Sequence, residues 1–320
     1  DITGVLPVMK VSDHLTYLAQ SIIRQVVNLA WQQMTEKYGE PDFTDLPDEQ
    51  HEILSRGFAV IGYGKLGGYE LGYGSDLDLV FLHNCNSQAL TNGPKAIDSG
   101  LFYLKLSQRI LHLFNTKMPS GQLYEVDMRL RPSGNAGLLV CHINSFSDYQ
   151  NQTAWTWEHQ ALTRARFIVG STQLAQQFHN VRHQVLAKTR DLVALREEVA
   201  DMREKMRQHL GSNTKDGFDL KQDAGGIADI EFIVQYFVLA YSCNVPALTK
   251  WPDNVRILQQ LHSSELLSAE DAQTLNDAYL TYRNTNHRLV LQQTAQMADS
   301  SAFQTLRDGV KRIWQQIFEG

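Results

Sequence analysis

The N-terminal part of the chain carries apolar residues at helical spacing, followed by an acidic segment. The apolar positions are Leu15, Leu18, Ile22, Val26, Ala30 and Met34. Their spacing of three or four residues predicts an amphipathic helix over about 11–38. Residues 36–52 are rich in acids and contain two prolines, which is typical of a solvated linker. We therefore expect residues 1–52 to form an N-terminal helix and an acidic linker.

A different pattern, short apolar runs closed by turn residues, begins after the linker. Continuous runs at 58–61 and 77–82 and an alternating segment at 123–130 predict three strands. A helical stripe over about 97–117 lies between the second and the third of these strands. We expect these elements to form one sheet-containing domain over residues 53–170.

Beyond about residue 145, strand patterns nearly vanish and helical patterns dominate. They cover about 171–210, 230–241 and 268 to the end of the chain. Ser268 is followed three residues later by Asp271, which fits a capping box at the start of a helix. Residues 171–320 are therefore predicted to form an all-helical domain.

The composition supports a folded protein and narrows the class of partner. Of the 320 residues, 43% are hydrophobic and 20% are charged, as in a globular chain large enough for two or three domains. The formal net charge is −6, whereas proteins that grip a nucleic-acid backbone usually carry a basic excess. We therefore expect a protein or a small molecule as partner, and no nucleic acid.

The cysteines and the apolar runs bear on the compartment. Cys85, Cys141 and Cys243 are scattered and lack a Cys-x-x-Cys spacing, which favours a reduced, cytoplasmic setting. No apolar run approaches 18 residues, so we expect a soluble protein with no membrane partner. Because the chain begins at Asp1 rather than at a methionine, we expect it to be a piece of a longer protein.

Three aspartates on two predicted strands carry the candidate chemistry. Asp76 and Asp78 are two residues apart at the start of the second strand, so their side chains point to the same side. Asp127 lies on the third strand. Carboxylates that converge in this way repel one another unless a cation lies between them, and hard oxygen ligands suit Mg²⁺. Two such ions can activate an attacking oxygen and stabilise a leaving one. An isolated Asp-x-Asp is more often a solvated loop feature, but the third aspartate and the glycine-rich turn before the pair favour a metal site.

The glycine-rich turn itself, GYGKLG at 62–67, matches the G-x-G-x-x-G fingerprint of dinucleotide sites. That fingerprint requires a full helix before the next strand and an acidic residue about 20 positions on. Here the next strand begins near Leu77, and the residue at that distance is Leu82. The dinucleotide interpretation therefore fails on spacing, and a Walker P-loop fails because no Gly-Lys pair is followed by Ser or Thr.

A phosphate cradle is the interpretation of this turn that survives. Gly64, Gly67 and Gly68 allow backbone N–H groups to approach an anion closely. Lys65 adds a positive charge, and the hydroxyl of Ser75 is a second donor. The alternative is an ordinary tight connection between strands.

Several other polar and aromatic residues are candidates either for ligand binding or for a structural role. Arg129 and Arg131 share the predicted strand face of Asp127, where they can bind triphosphate oxygens or, with equal weight, pair with neighbouring acids. Asp229 and Glu231 lie near the start of a predicted helix, which favours a capping or interface role over a ligand role. Core or surface roles are expected for His83, His112, His142 and His159, and packing roles for Trp155 and Trp157.

Several longer sequence blocks resemble the bifunctional adenylyltransferases of glutamine synthetase. The blocks are GYGKLGGYEL at 62–71, GSDLDLVF at 74–81, YEVDMRLRP at 124–132, WE at 157–158, ALTRAR at 161–166, FDLK at 218–221 and GGIADIEF at 225–232. The resemblance covers about 55–295. The long blocks are specific, whereas the bare Asp-x-Asp is not. In one departure, the wider superfamily often has Gly-Ser where this chain has Gly64 and Lys65.

The resemblance implies an α+β protein, with a polymerase-beta-like nucleotidyltransferase domain built on a mixed sheet and an all-α helical bundle domain. Members of the family carry two such units. One transfers AMP from ATP to a tyrosine of glutamine synthetase, and the other removes AMP by phosphorolysis. A PII-type signal protein and glutamine regulate both. The resemblance further implies ATP as substrate, with two Mg²⁺ ions held by Asp76, Asp78 and Asp127.

On this basis a chain of 320 residues corresponds to half of such an enzyme. Its Gly-Ser-Asp-Leu-Asp form resembles the adenylylating, C-terminal unit more than the de-adenylylating unit. Asp127 is then expected to position or deprotonate the acceptor hydroxyl. Three alternatives stay open: the de-adenylylating unit, a uridylyltransferase acting on a signal protein, and a non-catalytic module that binds nucleotide.

Overall fold

The computed structural model describes residues 5–43, 56–86, 88–117, 119, 121–210, 217–294 and 297–320. Over these residues the chain divides into two compact units. The sheet unit contains 14–154 and 164–185, and the helical unit contains 155–163 and 186–320 together with the described residues before position 14. The units are thus not contiguous in sequence. The division into domains at residues 52 and 170 stays a prediction.

The helices and strands follow one another in this order. The first part has α1 (Val8–Tyr38), β1 (Phe58–Gly62), α2 (Gly64–Gly67), β2 (Leu77–His83), α3 (Ser99–Asn115), β3 (Val126–Asp127), β4 (Val140–His142), α4 (Ile143–Gln152) and α5 (Thr156–Thr163). The second part has β5 (Arg166–Gly170), α6 (Thr172–Leu186), α7 (Leu192–Leu210), β6 (Phe218–Asp219), α8 (Ile227–Tyr241), α9 (Asn254–Ser263), α10 (Ala269–Leu291), β7 (Met297–Ala298) and α11 (Gln304–Phe318).

The sheet unit is built on five strands. β1 lies antiparallel between β2 and β5, and β2 pairs in parallel with β3 and with β4. The sheet is therefore mixed, which confirms the predicted α+β class. The parallel register of β2 and β3 sets Leu77 beside Val126 and Asp78 beside Asp127.

The core of this unit follows from the apolar pattern of its elements. Every residue of β1 is buried, and along β2 the side chains of Leu77, Leu79 and Phe81 are at most 1% exposed. Helix α1 adds a buried stripe that includes Ile23 and Trp31 to the same core. The predicted helices at 11–38 and 97–117 and the predicted strands at 58–61 and 77–82 are confirmed. Of the predicted acidic linker, α1 covers 36–38 and residues 44–52 lie outside the described part of the chain.

Two predictions about strands were wrong. The strand expected at 123–130 contains only Val126 and Asp127, because the chain turns at once into a segment with residues in turn and 3₁₀ conformation. Conversely, β5 and the short ladders of β6 with β7 lie beyond residue 145, where no strand was expected. β5 has an apolar run of only three residues, Phe167 to Val169. It forms a strand because its backbone pairs with the edge of β1.

The helical unit is organised around α8, along which all but two of fifteen residues are buried. Helices α7, α9, α10 and α11 contact it. The helix expected over 171–210 is two helices, α6 in the sheet unit and α7 in the helical unit. The predicted capping box is confirmed, since the backbone N–H of Asp271 donates to Ser268 Oγ at 3.0 Å.

None of the helices within the described ranges is long and apolar enough to cross a lipid bilayer.

Candidate metal and nucleotide site

The three aspartates predicted from the sequence converge at the start of β2. One carboxylate oxygen from each of Asp76, Asp78 and Asp127 lies within 4.8 Å of the other two. Oxygen ligands on opposite sides of a Mg²⁺ ion are separated by about 4 Å. The three side chains are therefore close enough to share one divalent cation with small adjustments. Among the residues that the structure describes, no other trio of His, Cys, Asp or Glu side chains comes this close.

The electrostatics of the cluster show that its charge is not fully compensated. Burial, reinforced by the neighbouring charges of Asp76 and Asp127, raises the pKa of Asp78 from 3.8 to about 6. The positive charges of Arg164 and Lys65 act in the opposite direction and are too weak to reverse the shift. A divalent cation at this position would remove the repulsion and lower the pKa of Asp78 again.

Asp127 differs from the other two because an arginine covers it. Arg129 donates from Nε to Asp127 Oδ2 at 2.7 Å and from its backbone N–H to Oδ1 at 2.8 Å, and these bonds lower the pKa of Asp127. The Arg129 side chain is 74% exposed, so it can turn away from the carboxylate at little cost in packing. Of the two alternatives for Arg129, pairing with a neighbouring acid is the arrangement present here.

Arg131 has a different role from the one expected. Because β3 ends at Asp127, the predicted shared strand face does not exist. The Arg131 guanidinium is buried, and it donates to the carbonyl oxygens of Met128 at 2.7 Å and of Asn135 and Gly137 at 3.3 Å. It therefore closes the turn that follows Asp127, and its donors are directed at backbone oxygens.

The glycines of the turn at 62–68 allow the backbone to pack closely against neighbouring groups, and only in part leave N–H groups available for a phosphate. Gly64 has φ +54°, and a side chain there would overlap the carboxylate of Asp78. The N–H groups of Gly67 and Gly68 donate to the carbonyl oxygens of Tyr63 and Gly64 at 2.9 and 3.0 Å. In this conformation the two N–H groups therefore donate within the turn, and their contact with a phosphate stays a prediction. Phosphate contact at Gly64 stays a prediction.

Lys65 and Ser75 lie together beside the carboxylates. The ammonium group of Lys65 is 3.5 Å from Ser75 Oγ, and that oxygen also accepts the backbone N–H of Gly72 at 3.1 Å. Lys65 is close enough to Asp78 to oppose the rise in its pKa. A cation and a hydroxyl next to a metal-binding cluster are suited to phosphate oxygens.

No local sequence pattern indicates the buried ion pair that lies behind this turn. Arg164 donates from Nη2 to Glu70 Oε2, and the two side chains are 6% and 1% exposed. The partners are 94 residues apart, so no local pattern links them. Both belong to the blocks that carry the family resemblance, but that resemblance assigns them no role.

A separate cavity of about 820 Å³ lies near the other end of β2, about 17 Å along the strand from Asp78. Its lining includes His83, Cys85, Cys141 and His142, and no Asp, Glu, Lys or Arg side chain is among the described residues that line it. Burial lowers the pKa of His83 to about 4 and raises the pKa of both thiols to about 11, so these groups are uncharged at neutral pH. A cavity without charge does not suit a triphosphate, and the carboxylate cluster is the candidate site.

Two further predictions concern the helical unit. Asp229 is 1% exposed and accepts from Arg203 Nε at 2.6 Å and from the backbone N–H of Gly225 at 2.7 Å, which confirms its interface role. The packing role expected for Trp155 is wrong, because that side chain is 71% exposed, while Trp157 is 37% exposed.

Two family models and a curated relative match this chain. The sequence model of the family described as glutamate-ammonia ligase adenylyltransferase matches residues 1–181, and that of GlnD PII-uridylyltransferase matches residues 194–302. A curated relative from Vibrio parahaemolyticus serotype O3:K6 (strain RIMD 2210633) is a bifunctional glutamine synthetase adenylyltransferase/adenylyl-removing enzyme. It is 54% identical over 319 residues, which is 99% of this chain and 33% of the relative.

The chain therefore spans about a third of the length of the curated relative that it matches, and not the half expected from the sequence. The first family match covers more than half of the chain and contains all three aspartates of the cluster. On these grounds the chain belongs to the glutamate-ammonia ligase adenylyltransferase family.

Proposed function

We propose that this chain is a metal-dependent nucleotidyltransferase unit that moves AMP from ATP to a tyrosine hydroxyl of glutamine synthetase and releases diphosphate. The observation that carries the proposal is the convergence of Asp76, Asp78 and Asp127 to within 4.8 Å beside a glycine-rich turn. The family membership and the name of the 54% identical relative supply the acceptor and the nucleotide.

Different side chains of the site would bind the metal and the phosphate oxygens. Asp76 and Asp78 would hold Mg²⁺, with Asp127 completing the set when Arg129 turns away. The bound ion, or a pair of ions, would neutralise the charge on the phosphate oxygens. Lys65, beside Ser75, is placed to bind the same oxygens. Most of the catalysis in phosphoryl-type transfer is positioning and charge neutralisation, so this small set of side chains suffices.

Asp127 also has a role towards the acceptor in this proposal. In the present structure the hydrogen bonds from Arg129 lower the pKa of its carboxylate. Once Arg129 has turned away, a cation bound by the cluster would keep this carboxylate ionised, and it could accept a hydrogen bond from the tyrosine hydroxyl. The tyrosine oxygen then forms a bond to the α-phosphorus, the bond to the bridging oxygen of diphosphate breaks, and the hydroxyl proton passes to a carboxylate or water.

Arg129 has two places in this scheme. It covers Asp127 in the present structure, and in the presence of ATP it would transfer to the triphosphate. A salt bridge that exposed is easily exchanged for a charge-assisted bond to phosphate.

The match to a PII-uridylyltransferase over residues 194–302 favours one second candidate, uridylyl transfer to a signal protein. The same match supports a PII-type protein as a regulatory partner, with glutamine as effector, in the adenylyltransferase proposal. The de-adenylylating reaction would use the same carboxylates, because phosphorolysis also needs a metal-bound phosphate.

One experiment separates the adenylylating from the de-adenylylating function and tests which nucleotide is used on glutamine synthetase. The 320-residue chain is incubated with Mg²⁺ and ATP or UTP in the presence of unmodified glutamine synthetase, and the mass of the acceptor is measured. We expect an increase by one AMP with ATP and none with UTP. In a parallel sample, adenylylated glutamine synthetase and phosphate replace the starting acceptor, and a loss of AMP there would identify the de-adenylylating unit. No change in either sample would refute the proposal.

A further inference from the structure

The buried pair of Arg164 and Glu70 lies directly against the glycine-rich turn. Glu70 follows the turn in sequence, and Arg164 lies two residues before β5 at the sheet edge. Both side chains are almost completely buried, at 6% and 1% exposed. An ion pair taken this far out of water costs free energy of desolvation, which the attraction between its members has to offset. Its position therefore calls for an explanation beyond simple filling of the core.

The guanidinium of Arg164 fills space that side chains on the turn would otherwise need. A methyl group on Gly68 would lie 3.0 Å from Arg164 Nη2. A methyl group on Gly67 would overlap the carbonyl oxygen of Arg164. The backbone of the turn thus rests against both the side chain and the main chain of this arginine.

The same turn touches Asp78. A side chain on Gly64 would overlap the Asp78 carboxylate, and the backbone N–H of Tyr63 donates to the Asp78 carbonyl oxygen at 2.9 Å. Gly68 is tied to Gly64 by a hydrogen bond of 3.0 Å. The backbone of the turn is therefore packed between Arg164 on one side and Asp78 on the other.

A second arginine holds the end of the turn. Arg166 donates from Nε to the carbonyl oxygen of Gly67 and from Nη2 to that of Leu66, both at 3.1 Å. Its guanidinium also lies 3.7 Å from the centroid of the Tyr69 ring, and Tyr69 has the left-handed φ of 55°. A backbone held in a sparsely populated conformation persists only where its surroundings determine it.

We propose that Arg164, paired with Glu70, is a positioning residue for the nucleotide site. It fixes the turn at 64–68 against Asp78 and so holds Lys65 in place, while it touches neither nucleotide nor metal. This inference rests on the proposed function, because it assigns to the turn the binding of the triphosphate. It predicts that a change at Arg164 alters the affinity for ATP, and not merely the amount of folded protein.

The chain offers a matched control in its other unit. Arg203 and Asp229 form an equally buried pair, with the two residues 0% and 1% exposed, and neither belongs to the cluster or the turn. A lysine at either arginine position keeps the charge and loses the planar fork of donors. R164K and R203K are therefore comparable in chemistry and burial and differ in location.

The test compares the Michaelis constants of the wild-type chain, R164K, R203K and E70Q at a temperature well below their unfolding midpoints. For R164K and E70Q we expect the KM for ATP to rise on the order of tenfold or more, with an unchanged KM for glutamine synthetase. For R203K we expect both KM values to stay within about twofold of wild type. A loss of folded protein alone would lower the apparent kcat and leave both constants unchanged. That result for R164K would overturn the inference.

Equilibrium binding of ATP with Mg²⁺ to the same four proteins separates this inference from the proposed function. If the wild-type chain binds ATP without transferring AMP, the proposed function fails, and the positioning role is decided by whether R164K binds ATP at least about tenfold more weakly than R203K does. If the wild-type chain binds no ATP, both are refuted.

Discussion

Asp78 in the sheet unit is partly buried and Asp229 in the helical unit is fully buried, and the two lie in opposite electrostatic settings. Asp229 accepts hydrogen bonds from Arg203 and from the backbone N–H of Gly225, with Arg207 3.4 Å away. Asp78 instead has two other carboxylates as neighbours, and its pKa is raised to about 6. The first aspartate is satisfied by the protein alone, and the second is not.

The difference distinguishes a structural carboxylate from a functional one. A buried charge that is paired and hydrogen-bonded stabilises the fold as it is. A carboxylate held among like charges destabilises the fold until a cation arrives, and such stored repulsion is characteristic of functional sites. Replacement of Asp78 should therefore lower activity and raise the stability of the metal-free chain, whereas replacement of Asp229 should lower stability.

The largest expected effect is on catalysis. Replacement of Asp76 and Asp78 by asparagine removes two metal ligands with almost no change of shape. We expect the rate of AMP transfer from labelled ATP to fall by on the order of 10³-fold or more. D201N, which changes an exposed aspartate of α7, is the control and should retain wild-type activity. Unchanged transfer by a folded D76N/D78N protein would end the metal-site account.

The next largest effect concerns stability. D229A leaves the guanidinium of Arg203 buried without its carboxylate, and removal of one partner of a buried pair costs about 3–5 kcal/mol. Urea unfolding of the wild type and D229A gives this difference in the free energy of unfolding. A loss below about 1 kcal/mol would show that Asp229 is not the structural counterpart described here.

D78N should act in the opposite direction, in a way that depends on pH. In the folded chain Asp78 holds its proton up to a pH of about 6, whereas in the unfolded chain it releases the proton near 3.8. The stability due to the protonated form is therefore complete below pH 3.8 and is lost as the pH rises through 6. Without metal, D78N should be more stable than wild type by up to about 3 kcal/mol at pH 8.

The measurement for this prediction is urea unfolding in the presence of a chelator at pH 8 and at pH 4. The advantage of D78N should largely disappear at pH 4, and D201N should show no such dependence. Equal free energies of unfolding for D78N and wild type at both pH values would mean that repulsion among the three carboxylates does not destabilise the fold.

The smallest expected effect is at Arg129. Because its side chain is 74% exposed, R129Q should shift the thermal midpoint by no more than about 2 °C. The KM for ATP should nevertheless rise, by roughly tenfold, if the arginine transfers from Asp127 to the triphosphate. A large loss of stability with an unchanged KM would identify Arg129 as a structural partner of Asp127 only.

The sequence was most informative where a single strand contains both buried core residues and a candidate metal ligand. In β2 every residue except Asp78 is buried, and the two-residue period of a strand sets Asp78 on the side opposite to Leu77 and Leu79. Asp127 could be paired with Asp78 in advance because its segment alternates in the same way, even though only two residues of it form a strand.

The sequence was least informative where a side chain finds its partner far along the chain. Arg131 looked like a residue of a strand face, but its donors reach carbonyl oxygens of the turn that follows. The pairing of Arg164 with Glu70 spans 94 residues and leaves no periodic pattern. β5 likewise depends on pairing with β1, which its five residues do not reveal.

The central claim is that Asp76, Asp78 and Asp127 together bind a divalent cation, and titration with Mn²⁺ monitored by electron paramagnetic resonance tests it most directly. We expect the wild-type chain to bind Mn²⁺, with higher affinity in the presence of ATP, and the affinity to fall on the order of tenfold or more in D76N, in D78N and in D127N. D201N should bind as the wild type does. Equal Mn²⁺ affinity in the wild type and the three cluster variants would contradict the claim.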